Sequence, residues 1–403
     1  MRPELAWERR DLGELVDVLD SRRVPLSAKE RAVRPGDVPY YGATGQVGWI
    51  DDALFDEPLV LLGEDGVQFF DRDKPKAYAI AGRAWVNNHA HVLRARIGLI
   101  DQRFLLHYLN WFDFTGFANG TTRLKLTQSA MRRIPVVLPP MDEQQRIVDI
   151  LEDHLSCLDN ANDNMQLASQ RIDRLQKSFL WNSTHGLAGA AVTTLNQVAE
   201  VKLGRQRSPK NHLGERMIPY LRAANVDWNR LRLDDVKCMN FSEKEQVVHA
   251  LQPLDILLTE ASGSATEVGK SALYRNEVPG VCFQNTLLRV RCHGIDPEFM
   301  QKYLLAEAMM GRFIPQSRGV GIHHIGRQRL AHWPIEVPAR SEQRAAVDRI
   351  EQETSAALRL KAQQVDCMRS TSLLRRSLRS AAFSGLLTGS ASDTEVIEEL
   401  SCV

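Results

Sequence analysis

Residues 120–140 read GTTRLKLTQSAMRRIPVVLPP, and residues 319–339 read GVGIHHIGRQRLAHWPIEVPA. The two stretches align without a gap. Gly120 falls on Gly319, Ile134 on Trp333, Pro135 on Pro334 and Pro139 on Pro338. The register holds beyond them. Glu143-Gln144 matches Glu342-Gln343, Val148 matches Val347, and Glu152 matches Glu351. Leu175, Ser178 and Gly186 match Leu374, Ser377 and Gly385. One constant offset over so long a stretch means that a whole module is written twice.

Upstream the copies are looser but still in order. VPYYGATG (38–45) parallels IPYLRAAN (218–225), and PLVLLGEDG (58–66) parallels PLDILLTEASG (253–263). FLLHYLN (104–110) parallels FMQKYLL (299–305), and LGELVDV (12–18) parallels LNQVAEV (195–201). The order is therefore globule, helix, globule, helix. Such a duplication implies a pseudo-twofold arrangement like that of a fused dimer.

Each globular half is rich in strand signals. PLVLL (58–62), AWVNN (84–88), DILLT (255–259) and NTLLRVR (285–291) are short apolar runs bounded by Gly, Pro, Asp and Asn. Each half also carries a short helical stretch, at 102–111 and 297–310. An α/β or α+β fold is expected for both. The domain boundaries follow: 1–140 and 187–339 for the globules, 141–186 and 340–386 for long spacer helices, and 387–403 for a polar tail.

The helices are of a different kind. Asp142 to about His185 contains neither Pro nor Gly. Leu158, Met165, Ile172 and Phe179 recur every seven residues, with Leu155, Asn162, Ser169 and Gln176 on the companion line. In the second helix Val347, Ile350, Leu358, Val365, Met368 and Leu378 form a less regular stripe. About 44 residues make a rod of roughly 65 Å, which cannot bury its stripe alone. The chain order favours an antiparallel coiled coil, with the polar Asn162 fixing register.

Composition sets outer bounds. At 403 residues and 43% hydrophobic the chain holds at least two folded cores. Lys+Arg 51 against Asp+Glu 50 neither demands nor excludes nucleic acid, since a binding face needs only local positive charge. The six cysteines show no C-x-x-C pair and are read as reduced thiols. With no apolar run near the ~18 residues a bilayer span needs, a soluble cytoplasmic protein is expected.

The order of these phrases resembles the specificity subunit of type I restriction-modification systems, over essentially the whole chain to about residue 389. The resemblance rests on IPVVLPPMDEQQRIV (134–148) and its second copy WPIEVPARSEQRAAV (333–347), with GDVPYYGATGQVGWIDD (36–52), LLGEDG (61–66) and WVNNHAHVL (85–93). It implies two target-recognition domains, each reading one half of an asymmetric, two-part DNA site. It further implies that the paired helices set the separation and dock two methyltransferase subunits. Those subunits would bind S-adenosylmethionine, and separate motor-nuclease subunits would use ATP and Mg²⁺. The chain itself would bind no cofactor and catalyse nothing.

Base edges and phosphates are met by Arg, Lys, Asn, Gln, Ser and Thr, which selects the candidates. In the first domain they are Tyr41, Thr44 and Gln46 in a Gly-rich loop, the polar cluster Asn87, Asn88 and His89, and Thr121, Thr122, Arg123 and Lys125 beside Gly120. In the second they are Lys202, Arg205, Arg207 and Lys210 in KLGRQRSPK, then Arg222, Asn225, Lys270, Gln284, Asn285, Arg318 and His323. Asn also suits turns, and loop cations also suit solvent.

Catalytic signatures are missing. GSATEVGKS (263–271) ends like a phosphate-binding loop, but Ser264 stands where the motif needs Gly. The N-P-P-[YF] and D-P-P-[YF] segments of amino-methyltransferases do not occur, and Asp235-x-Lys237 lacks an upstream acid. The residues alone leave two other readings open. One is a methyltransferase or nuclease acting by itself, and the other is a coiled-coil adaptor that binds only protein.

Overall fold

The computed structural model describes residues 7–120, 123–262, 264, 267–314 and 323–388. The chain divides into two compact units. One is Met1–Gln166 with Gln364–Val403, and the other is Leu167–Gln363. Among the described residues no helix is long and apolar enough to cross a membrane.

In the first unit a four-stranded antiparallel sheet runs Val16–Val18, Ala90–Ala95, Leu59–Gly63, Ala77–Ile80. A second sheet runs Gly45–Ile50, Val38–Gly42, Arg83–Val86, Phe55–Asp56, and its two central strands are parallel. The second unit repeats this order. Ala199–Leu203, Leu287–Cys292, Ile256–Thr259 and Ser271–Leu273 form the antiparallel sheet. Lys237–Asn240, Met217–Leu221 and Cys282–Phe283 form the mixed one. Each unit also closes its two ends with a short ladder, Glu8–Asp11 on Pro135–Leu138 and Ala191–Thr194 on Pro334–Val337. The two globules therefore share one topology, except that the edge strand Phe55–Asp56 has no counterpart among the described strands of the second unit.

The pattern of burial explains the strand order. Every residue of Leu59–Gly63 and of Ile256–Thr259 is buried, as a strand covered on both faces requires. The helix Gln102–Trp111 sets Phe104, Leu105, Tyr108 and Leu109 into the first core. Pro297–Met309 sets Phe299, Met300, Tyr303 and Leu304 into the second. Both helices start on an aspartate, Asp101 and Asp296. Each carboxylate accepts the otherwise unpaired N–H groups two and three residues on.

The long helices are α1 (Met141–Thr184) and α2 (Arg340–Phe383), each of 44 residues. Both stop two residues before a glycine in the left-handed region, Gly186 at φ 65° and Gly385 at φ 72°. Parts of both helices belong to each unit, and in each unit they pair antiparallel. In the first, Glu143 meets Thr388, Asp159 meets Arg375, and the Met165 carbonyl accepts from Gln364 at 2.9 Å. In the second, Asp173 and Gln176 meet Lys361, and Leu180 packs with Ile350.

The seam on α1 is the expected one. Leu155 is buried, Leu158, Met165 and Ile172 are half-buried, and Phe179 packs beside Leu180. Asn162 lies in it with its Oδ1 enclosed and unpartnered.

On α2 the expectation needs correcting. Ile350, Ala357, Gln364, Thr371 and Leu378 face inward at seven-residue spacing. Leu358 and Val365 stand 61% and 65% exposed, and Met368 is 37% exposed. The seam runs one residue earlier than the bulky side chains suggest. It is small and polar opposite the larger side chains of α1, so residue size misidentifies it. The tail also needs correcting, because Leu387 is buried in the first core and Thr388 bonds Glu143. Residues 389–403 lie outside the described residues.

Candidate nucleic-acid interface

In the first unit the loops that leave the two sheets meet at one edge. The strand Leu59–Gly63 runs into Glu64-Asp65-Gly66, and Arg83–Val86 runs into Asn87–His89. Backbone bonds tie them. Glu64 N donates to His89 O at 2.8 Å, Leu126 N to Glu64 O at 2.8 Å, and Asn87 N to Tyr41 O at 3.1 Å. Gly63 lets the turn fold back on itself, since a Cβ there would lie 2.1 Å from the Val67 side chain.

This frame gathers the cations around two acids. Arg123 and His89 both bind Asp65, at 2.5 and 2.9 Å. Lys125 reaches Glu64 at 3.0 Å, and Arg23 reaches the other Glu64 oxygen at 2.8 Å. Burial pushes the Glu64 carboxyl up, but hydrogen bonds from Arg23 and Lys125 outweigh it and hold it below its ordinary range. Thr44 and Gln46 are exposed on the adjoining hairpin, where Gln46 Nε2 donates to Gly48 O at 3.2 Å. Asn87 is buried and spends its Oδ1 on His89 N at 2.8 Å. Its neighbour Asn88 offers its carbonyl to Arg23 at 3.4 Å. Thr121 and Thr122 lie outside the described residues.

Beneath the cluster, Asp20, Glu64 and His91 bring three ligand-type atoms within 4.8 Å of one another. The place of a metal ion is taken by the Arg23 guanidinium, 3.4 Å from Asp20 and 2.8 Å from Glu64. His91 aims Nδ1 at Asp20 at 2.6 Å and Nε2 at the Leu126 carbonyl at 2.8 Å. Neither ring nitrogen is open to an ion.

The second unit builds the same frame with other side chains. Glu260 N donates to Thr286 O at 2.9 Å, Ile325 N to Glu260 O at 3.1 Å, and Gln284 N to Leu221 O at 2.8 Å. Asp65 opposite Lys125 becomes Ala261 opposite His324. The Lys125–Glu64 pair is replaced by His324 on Glu260 at 2.9 Å. Next to this pair His323 lies opposite Ser262. Gln284 and Asn285 adjoin the Arg205 backbone, because Gly204 lets the two segments touch: a Cβ there would lie 2.2 Å from Gln284 O. Arg207 and Lys210 are exposed on the following loop, and Lys202 lies on the sheet opposite Arg289. Arg222 pairs with Asp235 at 2.7 Å.

Three candidates of the second unit are structural instead. Arg205 is only 11% exposed, fixed by Glu245 at 2.8 Å and the Asn240 carbonyl, with its guanidinium over the Phe241 ring. Asn225 is buried, and its amide donates to the Arg232 and Asp235 carbonyls at 2.9 and 3.1 Å. Lys270 is bound to Glu267 at 2.6 Å and lies over the Trp228 ring. None of the three can turn toward a groove without losing these partners. Arg318 lies outside the described residues.

Sequence reading missed the acids. Glu64 and Glu260 recur at the same place of the repeat, in LLGEDG and LLTEASG, and that recurrence was the available signal.

Residues 4–167 and 189–365 match the family profile described as the type I restriction modification DNA specificity domain. A putative type I restriction enzyme specificity subunit from Haemophilus influenzae is 33% identical over 152 residues, 37% of this chain and 37% of that protein. The EcoKI specificity subunit of Escherichia coli is 24% identical over 314 residues, 72% of this chain and 66% of that protein. The chain thus spans less than two thirds of the length of the curated relatives it matches. A solved chain from work on complex assembly and conformational transition of the type I R-M system superposes with a TM-score of 0.71 at 16% identity. That superposition covers 94% of this chain and 98% of the other, a likeness of fold.

Proposed function

The chain belongs to the type I restriction-modification DNA specificity family, and from that membership we propose that it chooses the DNA sequence on which partner subunits act. Each globular domain reads one half of a bipartite, asymmetric site. The observation that carries this reading is the loop cluster itself, built twice on one backbone frame with different side chains. Lys125 on Glu64 answers to His324 on Glu260, and Asp65 answers to Ala261. An unchanged frame with exchanged polar groups is what two readers of different half-sites require.

Chemistry belongs to the partners in this reading. Two methyltransferase subunits bring S-adenosylmethionine, and motor-nuclease subunits bring ATP and Mg²⁺. The complex works in the cytoplasm, where the DNA is. The exposed apolar side chains of the long helices, Leu175 and Leu358 in one unit and Val365 and Leu373 in the other, suit protein docking.

The test is co-expression with the neighbouring methyltransferase, followed by gel-shift titration at two salt concentrations and sequencing of methylated adenines. A salt-sensitive, sequence-dependent shift and one bipartite methylated motif are expected. Methylation or cleavage by the chain alone would assign it a catalytic role instead. Binding without sequence preference would remove the specificity role.

A further inference from the structure

Arg72, Arg376 and Arg379 converge on a cavity of about 200 Å³ in the first unit, with Trp111, Ser377 and Ser380 in its wall. Two of the guanidiniums already have acids. Arg72 meets Asp113 at 3.3 Å, and Arg376 meets Asp73 at 2.7 Å. Arg379 has none. Its Nε is enclosed without a hydrogen-bond partner among the described residues. The neighbouring Arg375 is engaged with Asp159. Burial, and then the charge of Arg375, push the Arg379 guanidinium below its ordinary value, and the more distant Asp159 and Asp73 only partly offset them.

No carboxylate lines the cavity. Its remaining polar wall residue, Asn110, is spent on the backbone. Its Oδ1 accepts from Lys76 N and Ala77 N, and its Nδ2 donates to Ala77 O and Leu106 O. The donors left facing the space are guanidinium groups and two serine hydroxyls. Arg376 and Arg379 stand one turn apart on α2, as do Ser377 and Ser380, while Arg72 comes from the loop ahead of the strand Ala77–Ile80. Trp111 is a fixed wall, held edge-on to Tyr108 and against Phe383 at ring distances of 5.5 and 5.2 Å.

We propose that this cavity is an oxyanion site that takes a phosphate group. A single arginine fork satisfies a carboxylate. Donors arriving from a loop and from two turns of a helix fit an anion with more oxygens and more charge. Binding would add a further tie between the 71–76 loop and α2, beside the Arg376–Asp73 pair. The phosphate comes either from a small molecule or from a DNA backbone, and the two sources give different results below.

The full chain is titrated calorimetrically with inorganic phosphate at constant ionic strength, and its DNA binding is measured against salt. A saturable phosphate signal that disappears in Arg379→Met establishes the site with a free phosphate as ligand. No phosphate signal, but a salt slope for DNA lowered by about 0.9 in Arg379→Met, establishes it with the DNA backbone as ligand. No phosphate signal and an unchanged slope overturn the proposal. Should Arg379→Met fail to fold, Arg72→Ala and Ser380→Ala alter exposed parts of the wall and must each weaken the same signal several-fold; full retention in both overturns it.

Discussion

Gln343 repeats, atom for atom, two of the three side-chain bonds of Gln144; the third, from Gln144 Nε2 to Leu99 O at 3.1 Å, belongs to the first unit alone. The Oε1 of Gln144 accepts from Asp101 N at 2.8 Å, and its Nε2 donates to Pro139 O at 2.9 Å. Gln343 does the same with Asp296 N and Pro338 O, both at 2.8 Å. Each glutamine thereby clamps the first turn of a long helix to the N-terminal cap of the short helix in its own unit. Both side chains are buried. Removing the amide strands an N–H and one carbonyl at Gln343, and an N–H and two carbonyls at Gln144, at about 2 kcal/mol or more each. Gln144→Leu and Gln343→Leu should each lower the denaturation midpoint, while exposed Gln145→Leu should not. Equal stability of all three would mean the clamp contributes nothing.

Arg123 and Arg205 should separate function from folding. Arg123 is exposed at the loop cluster, and among the described residues its side-chain partner is Asp65. Arg123→Ala should weaken DNA binding and flatten its salt dependence, with the melting temperature unchanged. Arg205→Ala should lower the melting temperature, because it removes the partner of the Asn240 carbonyl and of the Glu245 Oε1 and takes the guanidinium off the Phe241 ring. The opposite pattern would reverse the two assignments.

Asp227 ties the Arg230–Arg232 turn together. Burial pushes its carboxyl up, but hydrogen bonds from Arg232, the Trp228 N–H and Arg230 outweigh this and bring it from 3.8 down to about 2. A depressed carboxyl stabilises the fold fully above its unfolded value and loses that contribution as pH falls through the folded one. Urea midpoints should therefore drop across the interval between 3.8 and about 2. In Asp227→Asn that part of the fall should be missing. A profile identical to the parent would show that the carboxylate is not the cause.

The corrected seam makes opposite demands on adjacent residues of α2. Ala357 is buried against α1, so Ala357→Leu should overpack it at about 1–3 kcal/mol. Leu358 is exposed, so Leu358→Gln should leave the isolated chain's stability unchanged and weaken capture of the methyltransferase subunit. A stable Ala357→Leu would put the seam back on the bulkier line.

The repeat, the two long helices and the strand-rich halves were legible because each is a pattern along the chain. The Pro-Pro start at 139–140 and Gly186 mark α1 without any tertiary knowledge. The α2 seam was not legible, because Ala357, Gln364 and Thr371 carry no hydrophobic signal and their partners come from distant sequence. The roles of Arg205 and Asn225 were hidden for the same reason. Whether an arginine faces DNA or a phenylalanine ring is decided by Phe241 and Glu245, which spacing does not bring near.

The bonds that hold the loop edge in place are drawn from main-chain atoms: Glu64 to His89, Leu126 to Glu64, and their counterparts at Glu260, Thr286 and Ile325. Main-chain bonds are indifferent to side-chain identity, so tips can mutate while the scaffold stays put. Under the proposed function, a gene with this plan takes on new addresses on the genome one half at a time. Its repertoire then grows as the product of what the halves can separately learn.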